Sequence, residues 1–186
     1  IILQIIGMFF NIYISNTIGE EAVGVFSLVM SVYLFGITLA SAGINISATR
    51  LVAEELACNN EIGAKKAAKR CIFFSLVFGI CASLIFFIYS DFIVEKCLHN
   101  RISKNVIYLI CIALPSISMS SAVNGYFTAV RRVYKNAIAK FFEEFVKIIC
   151  TAFLLKSFMP DGIDYACYSL ILADVISEVL SFVYLY

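Results

Sequence analysis

The sequence has few of the residue types from which soluble enzymes build active sites. One histidine occurs in 186 residues, which leaves little room for a catalytic triad or a zinc site. The chain contains no GxSxG, HExxH, P-loop or Rossmann glycine pattern. Its seven cysteines show no CxxC or CxxH spacing, and most lie in apolar runs, where a thiol acts as a small hydrophobe. We therefore predict no enzyme activity, no cofactor and no metal site.

Charged residues are also scarce. They make up 15% of the chain, whereas hydrophobic residues make up 62%, and the mean hydropathy is +0.95. These values lie well outside the range of a soluble domain. The composition therefore predicts an all-α integral membrane protein in contact with the lipid bilayer, with no nucleic-acid partner.

Six apolar runs predict a bundle of six transmembrane helices. Their approximate bounds are 1–18, 21–57, 69–90, 104–131, 137–158 and 164–186. A basic segment at 65–70, a loop at 91–104 that contains His99, and a turn at 159–162 lie between them. Both ends of the chain lie in apolar runs, so we expect a fragment of a longer protein.

The second run is the longest stretch without charge, with about 28 residues between Glu21 and Arg50. Hydroxyl and amide side chains recur on one face of this run, at Ser27, Ser31, Thr38, Ser41, Asn45 and Thr49. Lipid offers such groups no hydrogen bonds, so this face is expected to look into the bundle or a wet cavity. The alternative is that the hydroxyls bond their own helix backbone. Gly36 and Gly43 mark points where the helix can bend.

Two further patterns predict how the helices pack. Ser75, Gly79 and Ser83 form a ridge of small residues in the third run, which suits close helix contact. Pro115 lies inside the fourth run, where its missing N–H predicts a kink.

Several segments resemble a known family. Residues 18–26 (IGEEAVGVF), 42–46 (AGINI), 49–55 (TRLVAEE) and 124–132 (NGYFTAVRR) carry the resemblance. They look like the polysaccharide biosynthesis, stage V sporulation protein B-like branch of the multidrug/oligosaccharidyl-lipid/polysaccharide flippase superfamily. The resemblance implies a protein of two lobes and twelve to fourteen helices around a central cavity. It further implies that this chain is the amino-terminal lobe, without the second lobe, and that the whole protein moves a lipid-linked saccharide across the cytoplasmic membrane by alternating access.

Two other functions are weighed against this one. The first is a cation-coupled multidrug exporter of the same superfamily. Such exporters often place an aspartate in the first helix, where this chain has only Gln4, Asn11 and Ser15. The second is a membrane enzyme that acts on lipid-linked sugars, for which an acidic surface loop is expected. The loops on the predicted cytoplasmic side are basic instead.

The distribution of lysine and arginine predicts the orientation. About nine of these residues lie in or beside the segments that follow helices two and four, against about four on the opposite side. The positive-inside rule therefore places the amino terminus in the cytoplasm.

The charges of helices five and six are the strongest candidates for a functional site. Lys140, Glu143, Glu144 and Lys147 share an arc of about 100° on helix five. Within that helix, Glu143 can pair with Lys147 and Lys140 with Glu144. Asp174 and Glu178 share a face of helix six. One interpretation is a buried pairing of the two helices, for instance Lys147 with Asp174 or Glu178, that serves only assembly. We favour the other, a cavity for substrate or a coupling ion.

The predicted cavity combines these charges with polar residues of helices one, two and four. Its residues are Gln4, Asn11, Asn45, Arg50, Ser120, Asn124, Glu143, Glu144, Lys147, Asp174 and Glu178.

Overall fold

Helices form nearly all of the computed structural model, which describes residues 2–18, 20–97, 104–158 and 163–185. The helices are α1 (Ile2–Ile18), α2 (Glu20–Ser41), α3 (Ile44–Ala57), α4 (Glu61–Ile88), the single turn α5 (Ser90–Phe92), α6 (Lys104–Ala129), α7 (Val133–Phe158) and α8 (Ile163–Leu185). A π-helical turn, Ile93–Cys97, follows α5. His99 and the predicted turn at 159–162 lie outside the described residues.

The segment predicted as one helix over 21–57 forms two helices, which are separated at Gly43. This glycine has φ of 71°, in the left-handed region, where a side chain would be strained. The Ser47 N–H donates to the Gly43 carbonyl at 2.9 Å and starts α3. The separation lies at one of the two glycines from which the sequence predicts bending.

Helix α4 begins eight residues before the predicted position. The Asn60 side chain accepts a hydrogen bond from the Gly63 N–H at 2.9 Å, which caps the first turn. The basic segment 65–70 is therefore part of the helix rather than a loop before it.

Helix α6 is the centre of the bundle. It packs against α2, α3, α4, α7 and α8, and Ile107, Ile110 and Leu114 on it are fully buried. The main hydrophobic core surrounds these residues and takes Val29 from α2 and Ile171 from α8. Since every cavity described below borders α6 or a helix packed on it, this core fixes the positions of the site residues.

The ridge of small residues on α4 packs closely on α6, as the sequence predicts. A Cβ atom added to Gly79 would lie 2.7 Å from the Pro115 Cα. The Ser83 hydroxyl donates to the Cys111 carbonyl at 2.7 Å. The Ser118 hydroxyl lies 2.6 Å from the Ser75 carbonyl and 3.0 Å from the Ala40 carbonyl. The hydroxyl of α6 therefore joins α2 and α4.

Four described helical segments are long and apolar enough to cross a membrane. They are Val23–Ala57, which includes the turn at Gly43, Glu61–Ile88, Lys104–Ala129 and Cys167–Leu185. Large hydrophobic side chains also cover the outer surface, as at Phe73, Phe78 and Ile112, each more than 60% exposed. Such a surface suits lipid rather than water, and the chain is a multi-pass membrane protein.

Candidate functional site

One face of α7 presents its charged side chains to α8. The Lys147 Nζ lies 2.7 Å from the Asp174 Oδ1, and the side chains are 25% and 8% exposed. Because Asp174 is buried, the loss of Lys147 would leave its charge without an ionic partner. Of the pairings that the sequence leaves open, the structure has Lys147 with Asp174.

A second ion pair lies about two turns earlier on α7. The Lys140 Nζ is 2.7 Å from the Glu143 Oε1, and the Glu143 side chain is 15% exposed. The sequence predicts that Lys140 can pair with Glu144, four residues ahead. The structure instead has Lys140 paired with Glu143, three residues ahead. The Glu178 carboxyl group on α8 is close enough to Glu143 and Lys140 for an electrostatic interaction, whereas the ion pair of Lys140 is with Glu143.

These groups line one cavity of about 270 Å³ between α2, α6, α7 and α8. Its lining residues are Met30, Tyr33, Ile37, Ser41, Ile117, Ser120, Ser121, Asn124, Lys140, Glu143, Glu144, Lys147, Asp174, Ser177 and Glu178. Two lysines face four carboxylic acids, so the fully ionised lining carries a formal charge of −2. The volume accommodates several waters or a small cation and is below the usual size of a pocket for an organic ligand.

A larger open cleft of about 710 Å³ adjoins this cavity between α1 and α7. Gly7, Met8, Asn11, Ile12 and Ser15 of α1 line it, together with Lys140 and Glu144 of α7. Because these two α7 residues also line the charged cavity, they form the boundary between the two spaces. The cleft has more than twice the volume of the cavity.

The structure brings most of the predicted site residues to these two spaces. Ser120, Asn124, Glu143, Glu144, Lys147, Asp174 and Glu178 line the cavity, and Asn11 lines the cleft. Two residues lie elsewhere. Asn45 is at the contact between α3 and α6, where a Cβ atom on Gly125 would lie 2.6 Å from its carbonyl oxygen. Arg50 is exposed and pairs with Glu54 at 2.9 Å. The side chain of Gln4 lies outside the described residues.

Three of the six polar side chains predicted to share an inward face are exposed instead, whereas the Thr49 hydroxyl meets the Gly125 carbonyl of α6 at 3.1 Å. Ser27, Ser31 and Thr38 are exposed, and each donates to the carbonyl four residues earlier, at 2.8–2.9 Å. Their own helix satisfies them, which is the alternative that the sequence leaves open. Ser41 also bonds its own helix, at 2.7 Å to Ile37, and it lines the cavity.

Sequence reasoning missed several residues of the cavity, of which Tyr33 is the largest. Its side chain is 5% exposed and belongs to the wall that α2 contributes. Met30, Tyr33, Ile37 and Ser41 follow at steps of three or four and so share one helical face. The phenol among these apolar neighbours was the available signal. Within the described residues, no group of three or more His, Cys, Asp or Glu side chains is arranged to hold a metal ion.

Comparison with known proteins identifies the family. The chain is 25% identical over 183 residues to stage V sporulation protein B of Bacillus subtilis (strain 168), which covers 98% of the chain and 35% of that protein. It is 27% identical over 177 residues to sporulation protein YkvU of the same organism, covering 95% of the chain and 38% of that protein. The chain thus spans little more than a third of the length of these curated relatives. No solved structure matches it significantly.

The family model described as polysaccharide biosynthesis protein matches residues 1–186. The resemblance drawn from the segments between residues 18 and 132 is therefore confirmed. The chain belongs to the polysaccharide biosynthesis protein family.

Proposed function

We propose that this chain is the amino-terminal lobe of a flippase that moves a lipid-linked oligosaccharide or polysaccharide precursor across the cytoplasmic membrane by alternating access. The observation that carries the proposal is a polar, acid-rich cavity inside a multi-pass bundle of the polysaccharide biosynthesis family. Buried charges in a membrane bundle usually mark a path for a substrate or an ion. The role is transport, without an enzymatic step.

The lobe is proposed to consist of six spans. Four are the long apolar segments, and α1 and α7 are the other two. Helix α7 carries too many charges to look like a lipid-exposed span. Its charged face is turned to α8 and the cavity, so its apolar residues can meet lipid. A second lobe, outside this chain, completes the transporter, in line with the greater length of the relatives.

The two spaces suggest a division of roles within the transporter. The open cleft beside Asn11 and Ser15 is proposed to face the second lobe and to receive the saccharide headgroup. The smaller acidic cavity is proposed to hold a coupling cation or proton. Lys140 and Glu144 border both spaces, so occupation of one can influence the other. The amino terminus is assigned to the cytoplasm from the distribution of lysine and arginine.

The excess of acids in the cavity is equally compatible with a second candidate, a cation-coupled multidrug exporter of the same superfamily. Both candidates would use the acidic cavity in the same way, and they differ in cargo. The cleft that adjoins the cavity combines asparagine, serine, lysine and glutamate with the apolar side chains of Met8 and Ile12, so its lining suits either cargo. The match to the polysaccharide biosynthesis family favours the saccharide.

Reconstitution of the full-length protein tests the proposal. Proteoliposomes would contain a fluorescent lipid-linked oligosaccharide, and a membrane-impermeant quencher would measure how much label reaches the outer leaflet with time. We expect faster equilibration than in protein-free liposomes, and no acceleration by the Glu178→Gln variant. Equal rates with and without protein for several lipid-linked saccharides, together with efflux of a cationic dye, would favour the exporter.

A further inference from the structure

The first turns of α4 carry a dense group of cations that the proposed transport mechanism does not use. Lys65, Lys66, Lys69 and Arg70 occupy four of six successive positions, and all four are exposed. None of them forms an ion pair with another residue in the described part of the chain. We call these four residues the basic face.

The basic face points away from the bundle. At 3.6 residues per turn, its four positions fall within an arc of about 140°. Ala64 and Ala68 lie on the opposite side of α4, where they are buried against Val52 of α3 and the end of α6. The cations are therefore directed to whatever surrounds the protein.

The same side of α4 continues as an apolar surface. Phe73, Ile80, Leu84 and Phe87 follow within the arc of the basic face, and each is between 43% and 65% exposed. The apolar part from residue 71 to residue 88 is about 27 Å long at the standard helical rise, close to the thickness of a hydrocarbon core. The cations begin where this apolar part ends, so they lie at the level of the lipid headgroups.

We propose that the basic face binds the headgroups of anionic phospholipids, whose acyl chains lie along the apolar surface of α4. Four cations next to one span are typical of a site for acidic headgroups. The apolar continuation selects among anionic partners, because a soluble protein or free phosphate gains nothing from Phe73 and Leu84. This inference depends on the chain spanning a membrane and not on the proposed cargo or orientation.

A tryptophan reporter placed beside the basic face tests the inference. The 186 residues contain no tryptophan, so Phe73→Trp gives a single emitter one turn below Arg70. Tryptophans outside this chain would be replaced by phenylalanine in the full-length protein. The fluorescence of the introduced tryptophan, and its quenching by bromine, would be measured in bilayers that contain either brominated phosphatidylglycerol or brominated phosphatidylcholine at the same mole fraction. We expect phosphatidylglycerol to be enriched about threefold or more over phosphatidylcholine beside the reporter, because each cation near the surface attracts acidic lipid.

Three controls separate this site from general effects. A reporter at Phe9, which is 70% exposed on α1, should show no such preference. Exchanging each lysine of the basic face for arginine, and Arg70 for lysine, should keep the preference, whereas replacing all four by glutamine should abolish it. Raising the salt from 0.1 M to 1 M shortens the Debye length from about 10 Å to about 3 Å and should reduce the preference in the original protein.

The outcomes are decisive even if the glutamine variant does not insert, because the salt series and the arginine exchange use folded protein. Equal quenching by both lipids at Phe73→Trp overturns the proposal, and so does a preference that survives 1 M salt. A similar preference for phosphatidylglycerol at the Phe9 reporter would show that the basic face is not the source of the preference. Loss of the preference on adding inorganic phosphate, beyond the effect of potassium chloride at equal ionic strength, would mean that the site takes free phosphate instead of lipid.

Discussion

Lys147 of α7 and Asp174 of α8 form an ion pair of 2.7 Å, in which the aspartate is only 8% exposed. Each charge balances the other in the wall of the cavity. Glu178, one turn further along α8, forms no ion pair among the described residues, and the nearby Lys140 pairs with Glu143 instead. The structure therefore separates two acids that look alike in the sequence. We therefore expect Asp174 to serve assembly and Glu178 to be the acid that is available to a coupling ion.

Asp174→Asn should destabilise the protein. The change leaves Lys147 without its partner, and removing one member of a buried pair costs about 3–5 kcal/mol. We expect the lower end of that range, because Glu144 also lines the cavity near Lys147. Thermal unfolding in detergent would measure the loss.

Glu54→Gln is the matched control for this change. It also removes an acid from an ion pair, but the Arg50–Glu54 pair is exposed, so the cost should stay below about 1 kcal/mol. The double variant Lys147→Met/Asp174→Leu removes both charges and should recover most of the stability. If Asp174→Asn unfolds at the temperature of the original protein, the pair does not hold α7 to α8.

Gly79→Ala should weaken the packing of α4 on α6. The added methyl group would lie 2.7 Å from the Pro115 Cα, which is backbone and cannot turn aside. Overpacking of this kind costs about 1–3 kcal/mol. Gly24→Ala is the control, since nothing lies within 4 Å of its added Cβ. Unfolding temperatures that fall equally for both variants would contradict the close contact.

Ser118→Ala should lower stability more than Thr38→Ala. The Ser118 hydroxyl is fully buried and bridges carbonyls of α2 and α4, whereas the Thr38 hydroxyl is exposed and bonds its own helix. Hydrogen bonds between membrane helices average about 0.6 kcal/mol and reach about 1.7 kcal/mol. We expect the upper part of this range for Ser118 and almost no change for Thr38, in parallel unfolding measurements. The reverse order would show that the bridge does not stabilise the bundle.

The sequence could predict the charged cavity because ionisable groups in apolar helices usually face the interior of the bundle or water. Lys147, Asp174 and Glu178 are too costly to face lipid, and they do line one space. The partners within that space were not predictable. Lys140 can reach both Glu143 and Glu144 on one helix, because spacings of three and four residues are equally close, and the structure has the pair with Glu143.

Hydroxyl periodicity was a poorer guide than charge. The spacing of Ser27, Ser31 and Thr38 is that of a buried helical face. A hydroxyl can, however, donate its hydrogen bond to the carbonyl four residues earlier and then face outward. These three hydroxyls do so. Tyr33 was missed although its phenol was a signal, because an aromatic residue in an apolar run usually belongs to the hydrophobic core. The side of a helix that faces a cavity is decided by its neighbours, and that information lies in α6 and α8 rather than in α2.

Topology can be checked by cysteine labelling in the full-length protein, on a background without its native cysteines. From the excess of lysine and arginine beside α4 and the turn after α6, we expect Lys66→Cys and Arg132→Cys to react only after the membrane is permeabilised. His99→Cys should react with an impermeant reagent in intact cells. External labelling at position 66 but not at position 99 would invert the assigned orientation.

Glu178→Gln should leave the protein in the membrane and abolish transport. Glutamine keeps the shape of the side chain, and Glu143 retains Lys140 as its partner at 2.7 Å. Removing the Glu178 charge takes away a repulsion between two acids rather than leaving a cation alone. We therefore expect a stability within about 1 kcal/mol of the original, in contrast to the cost of breaking a buried pair. If the cavity holds a coupling cation or proton, the variant loses a carboxyl group that can bind it.

The measurement compares membrane abundance with the rate of lipid-linked oligosaccharide equilibration in proteoliposomes. Glu95→Gln is the control, because it neutralises an exposed acid in the π-helical turn, and it should change neither quantity. Asp174→Asn is the second reference, because it should reduce abundance and transport together. A Glu178→Gln variant that transports at the original rate shows that the acid is not part of the coupling site. A variant that disappears from the membrane shows that Glu178, like Asp174, serves assembly, and the proposed difference between the two acids then fails.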